Sequence, residues 1–474
     1  MDRDRPQSIR AGTAAAFVAN VGGVLIGVGV SAVIARSLGP TGKGSYDLAI
    51  ATAGLLGLGF GLSLPGGIAY AVARRAADPA RLRPVLIATA ACQVMLSLAV
   101  LALGMSAAPS LFGHLTMSTA LAISAIAGLT SLALNLRAEL VGLQRIGTAS
   151  VLDIAGRVLG AGAITGVLWI GRFLGDEPGF EALLWATATA ALALCLLFWI
   201  NLPAARPGAV ERGVRPILGF AIPAHLGNLV QFLNYRLDLF LVSAFAGIAA
   251  VGIYALAVSF AQIVWLAPGA LALTVLPRVA SETEAGQSAT DLPRLARVSL
   301  AISVVIAVGI GLAAPPFMQF VFGSAFAPSG AQLLWLLPGV AVFGQANVLA
   351  AYIGGIGRQR LNLYVSLAAL VATLAFDFAL IPSLAGLGAA IASTLSYSVT
   401  AVLTVAVTAR LGAFRIGELM IPRRSDLVLV FRAIGELVAA LRFVRGPRVT
   451  EESGLPAFER SRDRSGEDLE VEPK

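Results

Sequence analysis

Charge is scarce in this chain. Asp, Glu, Lys and Arg make up 13% of its 474 residues, about half the share that a soluble domain carries. Cysteine is scarcer still. Cys92 and Cys195 each lie inside an apolar run, with no second cysteine or histidine at ligand spacing, which excludes a disulfide framework and suggests no zinc site. The two histidines, His114 and His225, stand alone. No Ser-His-Asp set, phosphate-cradling glycine loop or paired-carboxylate motif stands out, so the expectation is a protein without metal, cofactor or enzymatic chemistry.

What the chain has instead is apolar length. It is 57% hydrophobic with mean hydropathy +0.84. Runs of about 20 apolar residues are long enough to cross a hydrocarbon core of about 30 Å. Twelve such runs fall near 11–35, 45–73, 84–104, 117–139, 148–171, 180–201, 217–246, 248–276, 298–316, 328–356, 361–381 and 385–409. This predicts an all-α polytopic membrane protein. The first run is too long for a signal-peptide core and has no clear small-residue cleavage site, so it reads as a retained helix.

The formal charge of +8 reports topology rather than nucleic-acid binding. Alternate connections carry Arg74, Arg75, Arg81 and Arg83, then Arg145, then Arg206, Arg212 and Arg215, then Arg278, Arg294 and Arg297, and finally Arg358 and Arg360. The connections between them carry only Arg36, Lys43 and Arg172. By the positive-inside rule the arginine-rich side is cytoplasmic and holds both termini, in a cytoplasmic (inner) membrane.

A repeat organises the runs. Gly39, Gly44 and Tyr46 in GPTGKGSY recur 208 residues later as Gly247, Gly252 and Tyr254 in GIAAVGIY, and Asn20 falls on Asn228 at the same offset. Asn135 and Gly142 match Asn347 and Gly354 at an offset of 212. Six spans per half make the repeat parallel, with substrate expected at the interface between two rocking lobes. The expected organisation is a six-helix lobe over 1–201, a Pro- and Arg-rich cytoplasmic linker over 202–216 and a second six-helix lobe over 217–410. A basic amphipathic segment over 411–446 suits the inner membrane surface. The tail over 447–474 reads as disordered. A thirteenth span over 427–444 would be short and is interrupted by Arg432, Glu436 and Arg442.

These residues resemble a known family. GPTGKGSYDLAIATAGLLGLGFGLSLP after the first span, NYRLDLFLV in the seventh, VGIYALAVSFAQIVWLAPGALALTVLPRVA in the eighth and GLGAAIASTLSYS in the twelfth are similar to the polysaccharide transport family. That family is grouped with murein-precursor flippases and multidrug and toxin extruders. The resemblance covers roughly residues 8–410. It implies a MATE-like fold and a flippase moving undecaprenyl-pyrophosphate-linked oligosaccharide to the outer leaflet for polysaccharide biosynthesis. The partners implied are the lipid-linked glycan, membrane lipids and glycan polymerases or glycosyltransferases. Twelve spans, not the fourteen of the murein-precursor branch, argue against that branch's substrate.

A charge inside a membrane span costs at least about 2.5 to 3.5 kcal/mol and marks a candidate site. On the seventh run, Asn228, Gln231, Tyr235 and Asp238 share one arc, bordered on the other edge by His225 and Arg236. Arg236 has the planar donor fork that suits pyrophosphate; the competing reading clips it to Asp238, Asp47 or Asp377. Asn228, Gln231, Tyr235 and Asn20 complete the expected substrate site, with Asp238 and Asp377 orienting the arginine or coupling to an ion. A second cluster, Arg137, Glu139, Asp153 and Arg157, reads as a structural quartet with Asp153 and Arg157 paired along one helix. Its alternative role is to receive the headgroup or couple to an ion. The repeat sets Leu349 and Ala351 opposite Arg137 and Glu139. A multidrug extruder would favour carboxylate-lined cavities, and a non-transporting scaffold of a glycan-synthesis complex stays open. A membrane enzyme would need a larger outer loop than any here.

Overall fold

The structure is a computed structural model that describes residues 9–74, 78–107, 115–175, 178–203, 215–281 and 287–426, with Val428, Val430 and Arg432. Side chains are described from residue 22 onward. Residues 1–427 form one compact unit, to which all that follows refers, and 428–474 form another. The expected linker lies largely, and the segment beyond 426 and the tail almost wholly, outside the described residues.

Among the described residues all regular structure is helical. The first six spans are built from α1 (Ile9–Gly61), α2 (Leu64–Ala73), α3 (Pro79–Ala107), α4 (Met117–Gly142), α5 (Ile146–Leu174) and α6 (Phe180–Asn201). The second six are built from α7 (Arg215–Ala246), α8 (Ile248–Ala261), α9 (Leu266–Ser281), α10 (Gln287–Phe322), α11 (Ala327–Gly355) and α12 (Gln359–Gly412). A short α13 (Ile416–Met420) follows.

Among the described residues ten stretches are long and apolar enough to cross a membrane, and two of them, within α1 and α12, each contain a break, which restores the twelve expected spans. In α1 the break is Gly39 at φ 64°, ψ −173°, followed by Pro40. Glycine alone adopts that backbone without steric cost, and proline starts the next helix with φ already set. In α12 the break is Ala385 at φ 51°, ψ −132°, three residues after Pro382. The second span also breaks, at Leu62 and Ser63, both at positive φ, and α2 finishes it.

The repeat is visible in the backbone. Gly247 ends α7 at φ 83°, ψ 170°, matching its partner Gly39. Gly44 and Gly252 meet where α1 crosses α8. A Cβ on Gly44 would stand 2.0 Å from the Ile248 carbonyl oxygen, and one on Gly252 would stand 2.2 Å from the Pro40 oxygen. Pro40 and Ile248 are repeat partners too, so the contact mirrors itself across the pseudo-two-fold axis. The turns after α4 and α11 also match bond for bond: Arg145 N–H donates to Leu140 O, and Arg358 N–H to Ile353 O. The offset there is 213 residues, which corrects the offset of 212. Arg137 and Glu139 are matched by Ala350 and Tyr352, not by Leu349 and Ala351.

The lobes α1–α6 and α7–α12 each have an apolar core of their own and share two more that run across their seam, where α1 meets α8 and α2 meets α7. We call the membrane face where α7 starts and α12 ends the near face, and the face bearing Gly39 and Gly247 the far face. On the far face Arg36 of α1 donates to Val321 O (2.7 Å) and Phe320 O (2.5 Å) at the carbonyl end of α10. This ties the lobes together with the cation placed where a helix C-terminus favours it.

On the near face each lobe uses an arginine from its third span to hold the chain that leaves its sixth. Arg83 of α3 donates to Pro203 O at 2.5 Å and lies over Trp199. Arg297 of α10 donates to Glu418 O at 2.6 Å and pairs with Asp426 at 2.8 Å. The residues after α12 therefore do more than cover a membrane surface. Leu419 is buried among Leu292, Ala296 and Val348, while Ile416 and Ile421 remain 56% and 66% exposed beside Arg415 and Arg423. Several arginines read as loop residues, Arg83, Arg297 and Arg360 among them, lie within helix ends.

Candidate functional site

The polar face of α7 is real, but it divides among three surroundings. Near its start, Asn228 donates to the Ser63 hydroxyl at 3.0 Å, and His225 Nδ1 lies 3.2 Å from the same oxygen. The break in the second span is thus held by α7. Asn228, Gln231, Asn234 and Tyr235 line a cavity of roughly 690 Å³ inside the C lobe. Its other walls come from α11 and α12, and it runs from Gly219, Gln359 and Arg360 at the near face to Tyr235, Phe343 and Tyr397 at mid-depth. Those three rings and Trp265 pack with centroids 5.0 to 5.9 Å apart. Asn234 donates to Ser366 O at 3.0 Å, and the Ser366 hydroxyl donates to Gln231 at 3.4 Å.

Arg236 is not part of that lining. It sits one helical turn from Phe232, whose ring faces Gly54 of α1, and one turn from Phe240, which borders a second space against Leu48 and Thr52 of α1. The place of Arg236 on α7, at the edge of the polar arc as expected, is turned toward α1 and the cleft between the lobes, while its charge also reaches Asp238 and Tyr397 inside the C lobe. The clip to an acid is not formed. Among the described residues no carboxylate lies within ion-pair distance of Arg236: Asp47 is bonded to Lys43, and Asp238, which feels the arginine's charge, makes its hydrogen bonds elsewhere. Asn20 lies outside the described side chains.

Asp238 is turned into the lobe. Its carboxylate accepts from the Tyr254 hydroxyl, from Ser393 at 3.4 Å and from Leu239 N–H at 2.8 Å. Asp377 of α12 is fully buried, and both its carboxylate oxygens lack a hydrogen-bond partner among the described residues. It feels the charge of Asp238. No group of three or more His, Cys, Asp or Glu gathers at metal-binding spacing among the described residues.

The expected N-lobe quartet is rearranged. Arg137 bonds Asp153 across the hairpin at 2.7 Å, so Asp153 does not pair with Arg157. Glu139 faces α3, where Arg83 lies 3.7 Å away. Arg157 has no acidic partner among the described residues; its guanidinium covers Gly23 of α1, 2.6 Å from where a Cβ would be.

Sequence reasoning missed Asn234, Asn347, Arg360, Tyr254 and Ser393. Tyr254 was in view as a repeat match, and Asn347 likewise, but nothing in their spacing told that they face α7. Arg83 and Arg297 had been counted only as topology signals.

The family model described as "Polysaccharide biosynthesis protein" matches residues 153–331, from α5 into α11. No curated protein matches the sequence. Among solved structures, a lipid II flippase MurJ in an inward closed conformation superposes with TM-score 0.64 at 13% identity, covering 90% of this chain and 96% of that one. An inward-facing multidrug resistance MATE family transporter gives TM-score 0.59 at 18% identity, covering 87% and 96%. A MOP superfamily transporter from Pyrococcus furiosus gives 0.54 at 16%, covering 86% and 95%. The resemblance to the polysaccharide transport family is thereby borne out, and the chain is a multi-pass membrane protein with the MATE-like fold of flippases and transporters.

Proposed function

We propose that this chain is a flippase, not an enzyme, which carries a polyprenyl-pyrophosphate-linked oligosaccharide across the cytoplasmic membrane by alternating access. The near face, rich in arginine, is then cytoplasmic. A neighbour of the same fold is named for flipping lipid II, and the family model concerns polysaccharide biosynthesis. The observation that carries the anionic headgroup is Arg236, a full charge at mid-span, facing the cleft with no carboxylate in ion-pair range among the described residues. Its fork matches a phosphate's oxygens.

Asp377, beside Asp238, supplies the coupling. A buried carboxylate without a basic partner needs a proton or a small cation beside it, and exchange of that ion during the cycle supplies a driving force. Arg137, Glu139 and Asp153 are consumed in structural pairs and take no part. On the far face the lobes meet at Arg36 and at the Gly44–Gly252 crossing, and the C-lobe cavity reaches the near face, which suits loading from the cytoplasm. Glycosyltransferases or a glycan polymerase supply and consume such a substrate.

Purified protein in liposomes should accelerate leaflet exchange of a fluorescent polyprenyl-pyrophosphate sugar at least tenfold over empty liposomes. Arg236→Ala should abolish most of that gain, with Arg236→Lys intermediate, at unchanged melting temperature. No acceleration under any imposed ion gradient would favour a scaffold, and efflux of organic cations in its place would favour a drug extruder.

A further inference from the structure

The C-lobe cavity has a lining that names a class of ligand. Six of its side chains are carboxamides: Asn228, Gln231, Asn234, Asn347, Gln359 and Asn362. Hydroxyls of Ser366, Ser396, Thr400 and Thr404 border the same space. The lining includes no carboxylate, and its one cation, Arg360, sits at the near-face rim. Some amides are engaged with the protein: Asn362 donates to Ala350 O at 2.9 Å and Asn234 to Ser366 O at 3.0 Å. Asn347 and Arg360 have no hydrogen-bond partner among the described residues, so their donors and acceptors are available to a ligand. The deep end is aromatic, formed by Tyr235, Phe343 and Tyr397 with Trp265 behind them.

Each alternative ligand meets a mismatch. An organic cation finds no carboxylate. A phosphate placed deep inside finds no cation in the lining to bind it, since the charge of Arg236 reaches Tyr397 only from behind the wall. A wholly apolar compound would leave several amides desolvated without partners. An uncharged polyhydroxylated ligand fits. Each carboxamide both donates and accepts, as each sugar hydroxyl does, and the C–H face of a pyranose ring is apolar enough to lie on an aromatic floor. The volume is in the range of about 300 to 1,000 Å³ typical of small-ligand pockets, enough for a short stretch of glycan and not for a long one.

We propose that this cavity is a glycan subsite that takes uncharged sugar residues of the substrate, leaving the anionic linkage outside it, with Arg236 in the cleft and Arg360 at the rim. The inference rests on the flippase reading and adds to it the part of the substrate that is recognised by chemistry other than charge. It makes the C lobe a selector of glycan.

The test separates the two. The full chain in detergent is titrated calorimetrically with a panel of lipid-free, phosphate-free tetrasaccharides of hexose and N-acetylhexosamine, and with their uronate counterparts. At least one neutral member should bind, and Asn347→Leu and Thr400→Val should each weaken it about tenfold at unchanged melting temperature. If Asn347→Leu fails to fold, Gln231→Leu replaces it. Binding of no neutral member, preference for uronates, or unchanged affinity in folded variants would overturn the subsite. The same variants are assayed for flipping in liposomes. Flipping without sugar binding defeats the subsite alone, and sugar binding without flipping in any variant or wild type defeats the flippase reading alone.

Discussion

Where the C lobe sets Ala350 and Ser366 on the wall of an amide-lined cavity, the N lobe sets Arg137 and Asp153, bonded to each other at 2.7 Å. Where the C lobe has Gln231, the N lobe has Gly23, covered by the Arg157 guanidinium. The two lobes thus share a backbone and fill equivalent positions with opposite chemistry. The Arg137–Asp153 side chains are 37% and 27% exposed, so their attraction is screened and worth no more than about 1 kcal/mol. Their importance is volume and self-neutralisation: they occupy what the other lobe leaves open. At these positions the repeat keeps its backbone and not its chemistry.

Symmetry is strictest at the axis, and breaking it there should have the largest effect. Gly44→Ala and Gly252→Ala both drive a Cβ into backbone, which cannot move aside as a side chain can, so each should cost about 3 kcal/mol or more. Thermal unfolding should place the two variants within about 1 kcal/mol of each other; tolerance of one but not the other would show that the crossing is not a mirrored contact.

The buried acids sharpen the contrast. Glu139→Gln keeps the shape beside Arg83, which still holds Pro203 O, and should destabilise by no more than about 1 kcal/mol, with flipping lost only in proportion to folded protein. Asp377→Asn removes a charge that no base compensates, so the melting temperature should hold or rise while transport falls at least tenfold. Melting curves and liposome flipping on the same samples check both. The reverse pattern would assign coupling to the N lobe.

A smaller difference lies at the near-face base. Burial alone would raise the Asp426 carboxyl, but hydrogen bonds from Arg297 and from Arg423 N–H, with the charges of Arg297 and Arg294, outweigh it and hold its pKa below the ordinary value. A depressed carboxylate stabilises the fold above its unfolded value, about 3.9, and loses that contribution as pH falls through its lower folded value. Asp426→Asn should cost about 2 kcal/mol at pH 7, and the gap from wild type should begin to narrow below about pH 4 and close as pH falls through the lower folded value. A gap that persists there would mean that packing of Leu419, not the ion pair, secures the segment.

Much of this architecture could be read from the residues. The apolar runs carried the twelve spans, because a membrane tolerates little else, and the glycine pairs carried the repeat, because Gly39 and Gly247 need a backbone that other residues avoid and Gly44 and Gly252 need the absence of a Cβ. The polar face of α7 was legible from its periodicity. Which neighbour each group meets was not. Arg236 and Tyr235 are adjacent in sequence, and the 100° between them sends one to the cleft and the other to the cavity. Charge pairing failed for the same reason: Asp153 lies four residues from Arg157, a sound helical spacing, but the hairpin turn brings Arg137 closer. The Arg297–Asp426 bridge spans 129 residues and leaves no local signal.

The division of labour between the lobes is tested most directly by exchanging their occupancy. Ser366→Trp should fill the C-lobe cavity, and the double substitution Arg137→Ala with Asp153→Ala should empty the equivalent N-lobe position. With melting temperatures as the control for folding, liposome flipping of the polyprenyl-pyrophosphate sugar should fall at least tenfold in the first and stay within about twofold of wild type in the second. Sustained flipping with the C-lobe cavity filled, or its loss when only the N-lobe pair is removed from a folded protein, would contradict the account.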